Sequence, residues 1–136
     1  MTAGARSSMG QWGVTILRIV VGLVFLVHGG QKLFLMGFGG VAAFFAQVGI
    51  PLPYANAVLV TFVEFLGGLA LVLGLFTRWA AIPLACDMAV AILTVHLKNG
   101  FFLPKGAEYA MTLLGANLAL VLLGSGEAAL DKIIKR

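Results

Sequence analysis

Charge is scarce in this sequence. Only 10% of its 136 residues are Asp, Glu, Lys or Arg, whereas 61% are hydrophobic. A water-soluble domain of this size exposes most of its residues, so it could not cover that much apolar surface with so few charges. The composition excludes an ordinary soluble protein and indicates a one-domain integral membrane protein whose first partner is the lipid bilayer.

Several chemical motifs are also missing. The single cysteine, Cys86, allows no internal disulfide and no Cys-x-x-Cys redox pair. Zinc and di-iron ligand spacings such as Glu-x-x-His do not occur, so we predict no metal site. Basic residues are not interleaved with aromatics on one face, which argues against nucleic-acid binding. No metal or flavin motif is present, so no cofactor is evident in the chain itself.

The sequence does contain long apolar runs. Four of them, at about 14–36, 54–76, 79–97 and 107–124, fit the ~17 to 25 residues of a membrane-spanning helix. The first run continues into charged residues without a small-residue cleavage site, so we expect it to be retained rather than removed as a signal peptide. The predicted fold class is all-α, an integral membrane four-helix bundle formed by residues 14–124.

The segments between and beyond these runs predict smaller elements. Residues 41–50 are apolar but too short to span, which indicates a short interfacial helix over the outer end of the bundle, with a re-entrant segment as the alternative. Residues 1–13 are small and polar, typical of a flexible cytoplasmic arm. Residues 125–136 form a basic tail that we expect to rest on anionic headgroups.

Positive charges are distributed unevenly between the two ends of the predicted bundle. One end carries six of them and the other three: Arg6, Arg18, Arg78, Lys132, Lys135 and Arg136, against Lys32, Lys98 and Lys105. By the positive-inside rule, both termini are predicted to be cytoplasmic.

Polar residues interrupt the apolar runs at defined depths. Arg18 and Lys32 cannot face lipid, because a charge at the bilayer centre costs at least ~2.5 kcal/mol. At 1.5 Å of helix per residue, Glu64 lies near the bilayer centre, and Lys32 and Glu108 lie at one level toward the outside. We therefore predict that Lys32 meets Glu108 and that His28 forms a hydrogen bond near Glu64.

Two kinds of role are expected for these groups. His28 and Glu64 are the candidate catalytic residues, since an imidazole and a carboxylate beneath an apolar lid can bind a polar headgroup and move protons to it. Lys32, Glu108 and Tyr109 are the candidate substrate-binding residues.

The remaining intramembrane charges are predicted to be structural. Arg18 should reach toward Asp87 or Glu64 and lock the helices, with Arg18 and Asp87 as structural ion pairs. If every buried ion only locks the helices together, the chain is a non-catalytic scaffold or anchor subunit, which is the alternative hypothesis for its function. A permease working as an oligomer is a third hypothesis. A haem between His28 and His96 is disfavoured because the two lie at different depths.

Considered together, the motifs resemble the DoxX family of small bacterial four-helix membrane proteins. The resemblance extends from about Leu17 onward and rests on the order and spacing of several pieces: Leu17-Arg18, Gly22, His28-Gly29, Lys32-Leu33, Gly49-Ile50-Pro51, Glu64-Phe65-Leu66-Gly67-Gly68, Gly74 to Arg78, Glu108-Tyr109, Gly124-x-Gly126 and Leu130-Asp131.

This resemblance implies a bacterial inner-membrane location and a link to redox chemistry, since some members serve as membrane subunits of a quinone oxidoreductase. It does not transmit a substrate. The function expected is a redox-associated subunit that binds a quinone-like amphiphile and relays protons in the outer half of the bundle. Its partners would be the proteins of a redox complex or further copies of the chain.

Overall fold

The chain folds into a bundle of helices. A computed structural model describes residues 3–134, and of residues 3, 5 and 6 the backbone alone. Within residues 3–134, six α-helices follow one another: α1 (Ala3–Gly30), α2 (Gly37–Gln47), α3 (Pro53–Leu73), α4 (Thr77–Ala91), α5 (Glu108–Leu123) and α6 (Leu130–Ile134). The π-helical stretches Gln31–Met36 and Ile92–His96 extend α1 and α4, and a 3-10 turn, Leu97–Asn99, ends the latter.

The lengths and composition of these helices suit a bilayer. In the described part of the chain, three continuous helical segments are long and apolar enough to cross a membrane: Ser7–Gln47, Pro53–Leu73 and Thr77–Asn99. Helix α5 is apolar but has only 16 residues. The prediction of an all-α membrane bundle is confirmed, and α1, α3, α4 and α5 correspond to the four predicted runs.

The short helix predicted between the first two spans is α2. Gly37 separates it from the preceding π-helical stretch with a φ of 72°, a conformation that glycine adopts without steric cost. Val41 and Phe45 are buried against Ala57 near the start of α3. Helix α2 thus covers the end of the bundle that carries the 100–107 loop, called the loop end below. The opposite end, near both termini, is called the terminal end.

Helices α1 and α3 pack with their backbones in contact. A Cβ atom added to Gly29 would lie 2.3 Å from the backbone nitrogen of Phe65, and one added to Gly68 would lie 2.3 Å from that of Leu26. Small residues allow such close approach inside membranes, where packing rather than hydrophobic burial holds helices together. The contact holds the C-terminal half of α1, and with it the start of the π-helical stretch, directly against α3.

The terminal end differs from the sequence-based expectation. Residues 3–13, expected in a flexible arm, begin α1, since this segment contains no proline and its residues are compatible with a helix. Residues 125–134, expected in a tail, fold back on the bundle, where the Glu127 N–H donates to Thr15 Oγ1 at 2.9 Å. The remainder of the predicted arm and tail, residues 1, 2, 135 and 136, lies outside the described residues.

The helix contact generates a first prediction. Gly68→Ala should destabilise the protein by about 1–3 kcal/mol, as overpacking does, because its Cβ meets the backbone of α1. Gly115→Ala is the matched control, since nothing lies within 4 Å of its Cβ position. Thermal unfolding in detergent should show a lowered midpoint for Gly68→Ala alone. Equal midpoints for the two variants would contradict the helix contact.

Candidate functional site

A cavity of about 910 Å³ opens between α1, α3, α4 and α5 toward the loop end. Its wall is mainly apolar and includes Phe45 and Ile50, from α2 and the turn that follows it. The titratable side chains on its wall are His28, Lys32, Glu64, Cys86, Asp87, His96 and Tyr109. An apolar cavity with a few converging polar groups is the usual form of a small-molecule site.

An ion pair connects α1 to α3 at the polar part of the cavity. Lys32 Nζ lies 2.7 Å from Glu64 Oε2, and the two side chains are 19% and 5% exposed. The contact follows from the backbone approach at Gly29, which lies against Glu64 and Phe65, because Lys32 comes less than one helical turn later. A buried charge of this kind requires its partner.

Asp87 of α4 adds a second carboxyl group to this pair. It lies beside Glu64 and near enough to Lys32 to feel its charge. Its buried Oδ2 atom accepts no hydrogen bond from an N–H or alcohol donor of the described residues, so its polar neighbour is the carboxyl group of Glu64. One ammonium group therefore faces two carboxyl groups, which can form a hydrogen bond to each other only if one of them holds a proton.

The two histidines on the cavity wall have similar hydrogen bonds. His28 Nδ1 donates to the Val24 carbonyl at 2.8 Å, and His96 Nδ1 donates to the Lys105 carbonyl at 3.0 Å. A carbonyl oxygen only accepts, so each Nδ1 carries a hydrogen. The ring of His28 also lies near that of Tyr109, with a centroid distance of 6.3 Å.

The two π-helical stretches lie at the cavity. Gln31–Met36 carries Lys32, and Ile92–His96 ends at His96; both residues line the cavity. π-Helical turns inside α-helices occur frequently at functional sites, since they change the direction of side chains locally. Their position here supports the assignment of this cavity as the candidate site.

Two predicted contacts at the loop end are wrong. Lys32 pairs with Glu64 and not with Glu108, because the α1–α3 backbone contact brings Glu64 within its reach. Glu108 instead accepts a hydrogen bond from the Leu103 N–H at 3.2 Å. His28 donates to its own helix rather than to Glu64. Tyr109 lines both the cavity and a shallow depression that it shares with Glu108.

The predicted contact of Arg18 with Asp87 or Glu64 is also wrong. Arg18 is 1% exposed and lies at the terminal end, where it donates to the carbonyls of Ser125 and Ala128, the latter at 2.7 Å. A long side chain extends toward the nearest bundle end rather than toward its centre, and the returning C-terminal segment supplies the acceptors there.

Residues 125–134, called the terminal clasp below, are held against α1 and the α3–α4 turn. Asp131 forms the contacts with that turn. Asp131 Oδ1 accepts the Phe76 N–H at 2.8 Å, and the Asp131 N–H donates to the Gly74 carbonyl at 3.1 Å. Phe76 has a φ of 49°, which is uncommon for a residue other than glycine, and the Asp131 carboxylate holds it in place.

Sequence reasoning missed two groups of the site. The sequence predicts Asp87 only as a structural partner of Arg18. Its position near the middle of the 79–97 run nevertheless gives it the same depth as Glu64 and indicates that the two can meet. His96 was considered only as a haem ligand. No sequence signal placed it on the cavity wall, because that position depends on the π-helical stretch that ends α4. Cys86 also lines the cavity.

Comparison with known proteins establishes the family. The DoxX family model matches residues 13–97. CatD of Bacillus subtilis, provisionally named an oxidoreductase, is 35% identical over 122 residues, which cover 90% of this chain and 87% of CatD. Membrane protein Rv3486 of Mycobacterium tuberculosis is 37% identical, with 90% and 82% of the two chains covered.

Inner membrane protein YphA of Escherichia coli is 29% identical over 123 residues, with 86% of each chain covered. No solved structure matches the chain significantly. The helical membrane architecture, the family model and these relatives agree, so the protein belongs to the DoxX family of membrane proteins.

The Lys32–Glu64 pair generates a second prediction. Lys32→Met and Glu64→Gln should each destabilise the bundle by about 3 kcal/mol, because each leaves a buried polar group without its partner. The double variant should recover at least half of the summed loss, as measured by thermal unfolding in detergent. A parallel cycle with Lys32→Met and Glu108→Gln is the control, and we expect additive effects there. Coupling to Glu108 rather than Glu64 would contradict the pairing.

The terminal clasp generates a third prediction. Arg18→Met removes the donors for two carbonyls of the C-terminal segment, and unpaired buried acceptors cost about 1–3 kcal/mol. We expect trypsin to cleave after Lys132 about tenfold faster, because cleavage follows the population of the open segment.

Arg78→Met is the control for the clasp, since that arginine is exposed and its contact with the Leu122 carbonyl is 3.3 Å long. Unchanged proteolysis in Arg18→Met would show that other contacts hold the segment.

Proposed function

We propose that this protein is a redox-associated membrane subunit that binds a quinone-class amphiphile in the cavity at the loop end. One observation carries the proposal: a mainly apolar cavity has the Lys32–Glu64–Asp87 cluster in its wall. The apolar part of the wall can pack against an alkyl-substituted ring, and the charged cluster can form hydrogen bonds with the two oxygens of that ring. The volume of about 910 Å³ lies within the ~300–1,000 Å³ typical of ligand pockets.

The cluster can also move protons. Glu64 and Asp87 lie side by side, and both line the cavity together with Lys32. Two carboxyl groups in contact in a medium of low dielectric share a proton more readily than they carry two negative charges. We propose that this shared proton is exchanged with the bound headgroup, with His28 as the neighbouring imidazole.

Electrons would come from a partner. The sequence contains no flavin or metal motif that could carry them, so the chain is proposed as the membrane subunit of a quinone-linked oxidoreductase rather than as a complete catalyst. The provisional oxidoreductase name of CatD supports this assignment. The partner would be another protein of a redox complex or a second copy of the chain. We also propose that the protein lies in the bacterial inner membrane and that both of its termini are cytoplasmic.

The scaffold alternative explains less of the structure. Locking of the helices accounts for the Lys32–Glu64 pair and for the terminal clasp. It does not account for a mainly apolar cavity that has the charged cluster in its wall. A helix lock needs no space beside it, so the cavity favours a ligand.

Direct binding provides the test and the fourth prediction. Purified protein in nanodiscs should bind a short-chain ubiquinone saturably, as measured by equilibrium dialysis. Glu64→Gln and His28→Ala should each weaken binding about tenfold or more, since a hydrogen bond to a charged group contributes about 1.5–3 kcal/mol. Gly115→Ala, far from any contact, should bind like the wild type. A folded wild type without saturable binding would refute the proposal and favour the scaffold.

A further inference from the structure

We infer that the cavity opens sideways into the bilayer between α3 and α4, and that its ligand is a ring with a long hydrocarbon tail that stays in the lipid. This inference rests on the proposed function, and it specifies the ligand class and the route by which the ring reaches the charged cluster. It follows from the exposure and the depth of the residues that form each side of the cavity wall.

The wall residues on α3 and α4 include an exposed strip without charge. Leu59 of α3 is 59% exposed, and Ile82 and Val90 of α4 are 43% and 49% exposed. Cys86, which lies between the last two in the sequence, is also exposed. All four residues line the cavity, so the cavity continues to the outer surface of the bundle here. These four residues are called the side opening below.

The other sides of the cavity are closed or polar. Between α1 and α3, the backbones are in contact at Gly29. On the side of α5, the wall residues Ala110 and Leu113 are buried. Between α1 and α5, the exposed wall residues are His28 and Tyr109, whose ring centroids lie 6.3 Å apart. An apolar tail therefore leaves the cavity most favourably between α3 and α4.

Helices α3 and α4 touch nearer the terminal end and leave a gap toward the loop end. A Cβ atom added to Gly67 would lie 3.2 Å from the Leu84 side chain, so the helices are packed at this level. One and two turns closer to the loop end, Val63 and Val60 of α3 line the cavity. Pro83 lies inside α4 just before the packed level, and a proline within a helix favours a bend. The sequence thus contains a physical reason for a gap at this place.

The side opening lies at the depth of the hydrocarbon. Cys86 and Val90 lie on either side of the middle of the segment Thr77–Asn99, each about 3 Å from it at 1.5 Å per residue. Leu59 lies about 6 Å from the middle of Pro53–Leu73 by the same measure. The apolar core of a bilayer extends about 15 Å on each side of its centre. Lipid chains rather than water therefore meet the side opening.

Helix α2 and the turn after it cover the loop end of the cavity. Phe45 is buried there, and the exposed wall residues of this region carry no charge: Phe44, Gly49 and Pro51. The Asn56 side chain donates to the Pro51 carbonyl, which ties the turn to the start of α3. A water-soluble ligand meets this apolar cover, whereas a ligand dissolved in the bilayer meets the gap between two helices.

This arrangement suits a ligand with two parts. The ring lies at the cluster of Lys32, Glu64 and Asp87 in the cavity wall, and the tail passes between α3 and α4. Lipid chains are as apolar as hydrophobic side chains, so a tail gains little free energy when it leaves lipid for protein. A tail that stays in the bilayer is not limited by the cavity volume of about 910 Å³. An enclosed cavity would exclude long tails.

Competition in nanodiscs tests the inference. The probe is a tailless ubiquinone ring that carries a photoreactive diazirine, and its light-induced attachment to the protein is measured by mass spectrometry. Unlabelled tailless ring and long-chain ubiquinone compete with the probe, each at a known mole fraction in the lipid. For the wild type we expect the two competition midpoints to agree within about threefold, because the tail stays in the lipid.

Variants connect this tolerance of long tails to the side opening. Leu59→Trp and Val90→Trp should each raise the midpoint of the long-chain ubiquinone at least about tenfold, because a bulky side chain overpacks the gap through which the tail leaves. The midpoint of the tailless ring should stay near that of the wild type. Leu66→Trp and Leu93→Trp are the matched controls, since both leucines are exposed on the same helices and do not line the cavity. Thermal unfolding verifies that each variant is folded.

The outcomes separate the two proposals. If neither competitor displaces the probe from folded wild type, the proposed function is refuted. Displacement by the tailless ring but not by the long-chain ubiquinone would leave the ring site in place and overturn this inference, because the cavity would then be closed to the bilayer. Long-chain midpoints that are unchanged in both side-opening variants, or equally raised in the controls, would also overturn it, because the tail would then not leave between α3 and α4.

Discussion

The ion pair between Lys32 and Glu64 is the constraint on which the loop end of this protein depends. A lysine inside an apolar bundle requires an anion, and the anion is within reach because Gly29 lets α1 lie directly against the backbone of α3. The same contact fixes the rotation of both helices. It thereby determines that Asp87 of α4 lies beside an acid that is already paired.

The two ends of the bundle use their charges differently. At the terminal end, Arg18 is enclosed by protein and donates to carbonyls of the returning C-terminal segment, which ties that segment to the first helix. At the loop end, the Lys32 pair lies in the wall of a mainly apolar cavity, with the Asp87 carboxyl group beside it. The charge of Arg18 is thus used inside the protein, whereas the charges of the loop-end cluster lie where a ligand can reach them, which is the arrangement expected of a binding site.

Much of the fold could be predicted from the sequence. The apolar runs indicated the bundle, the residues after the first run indicated α2, and the family followed from motifs spread along the chain. The pairings could not be predicted in the same way. Depth along a span is a one-dimensional quantity, and it placed Lys32 level with Glu108 without indicating which helices touch. Lys32 pairs with Glu64 because of the glycine contact between α1 and α3. Arg18 bonds to Ser125 and Ala128 because the chain reverses after α5, and no apolar pattern in the sequence indicates that reversal.

The histidines show why the chemistry of the site required the structure. From sequence, His28 and His96 are two imidazoles at different depths, and either nitrogen of each could carry the hydrogen. Because backbone carbonyls accept from both Nδ1 atoms, each Nδ1 carries a hydrogen, and Nε2 is the ring nitrogen that these carbonyls leave to the cavity. His28 takes this arrangement from its own helix, whereas His96 takes it from the 100–107 loop. Neither the depth of a residue along a span nor its spacing in the sequence indicates such a contact with a loop carbonyl, so the orientation of the rings on the cavity wall could be read only from the structure.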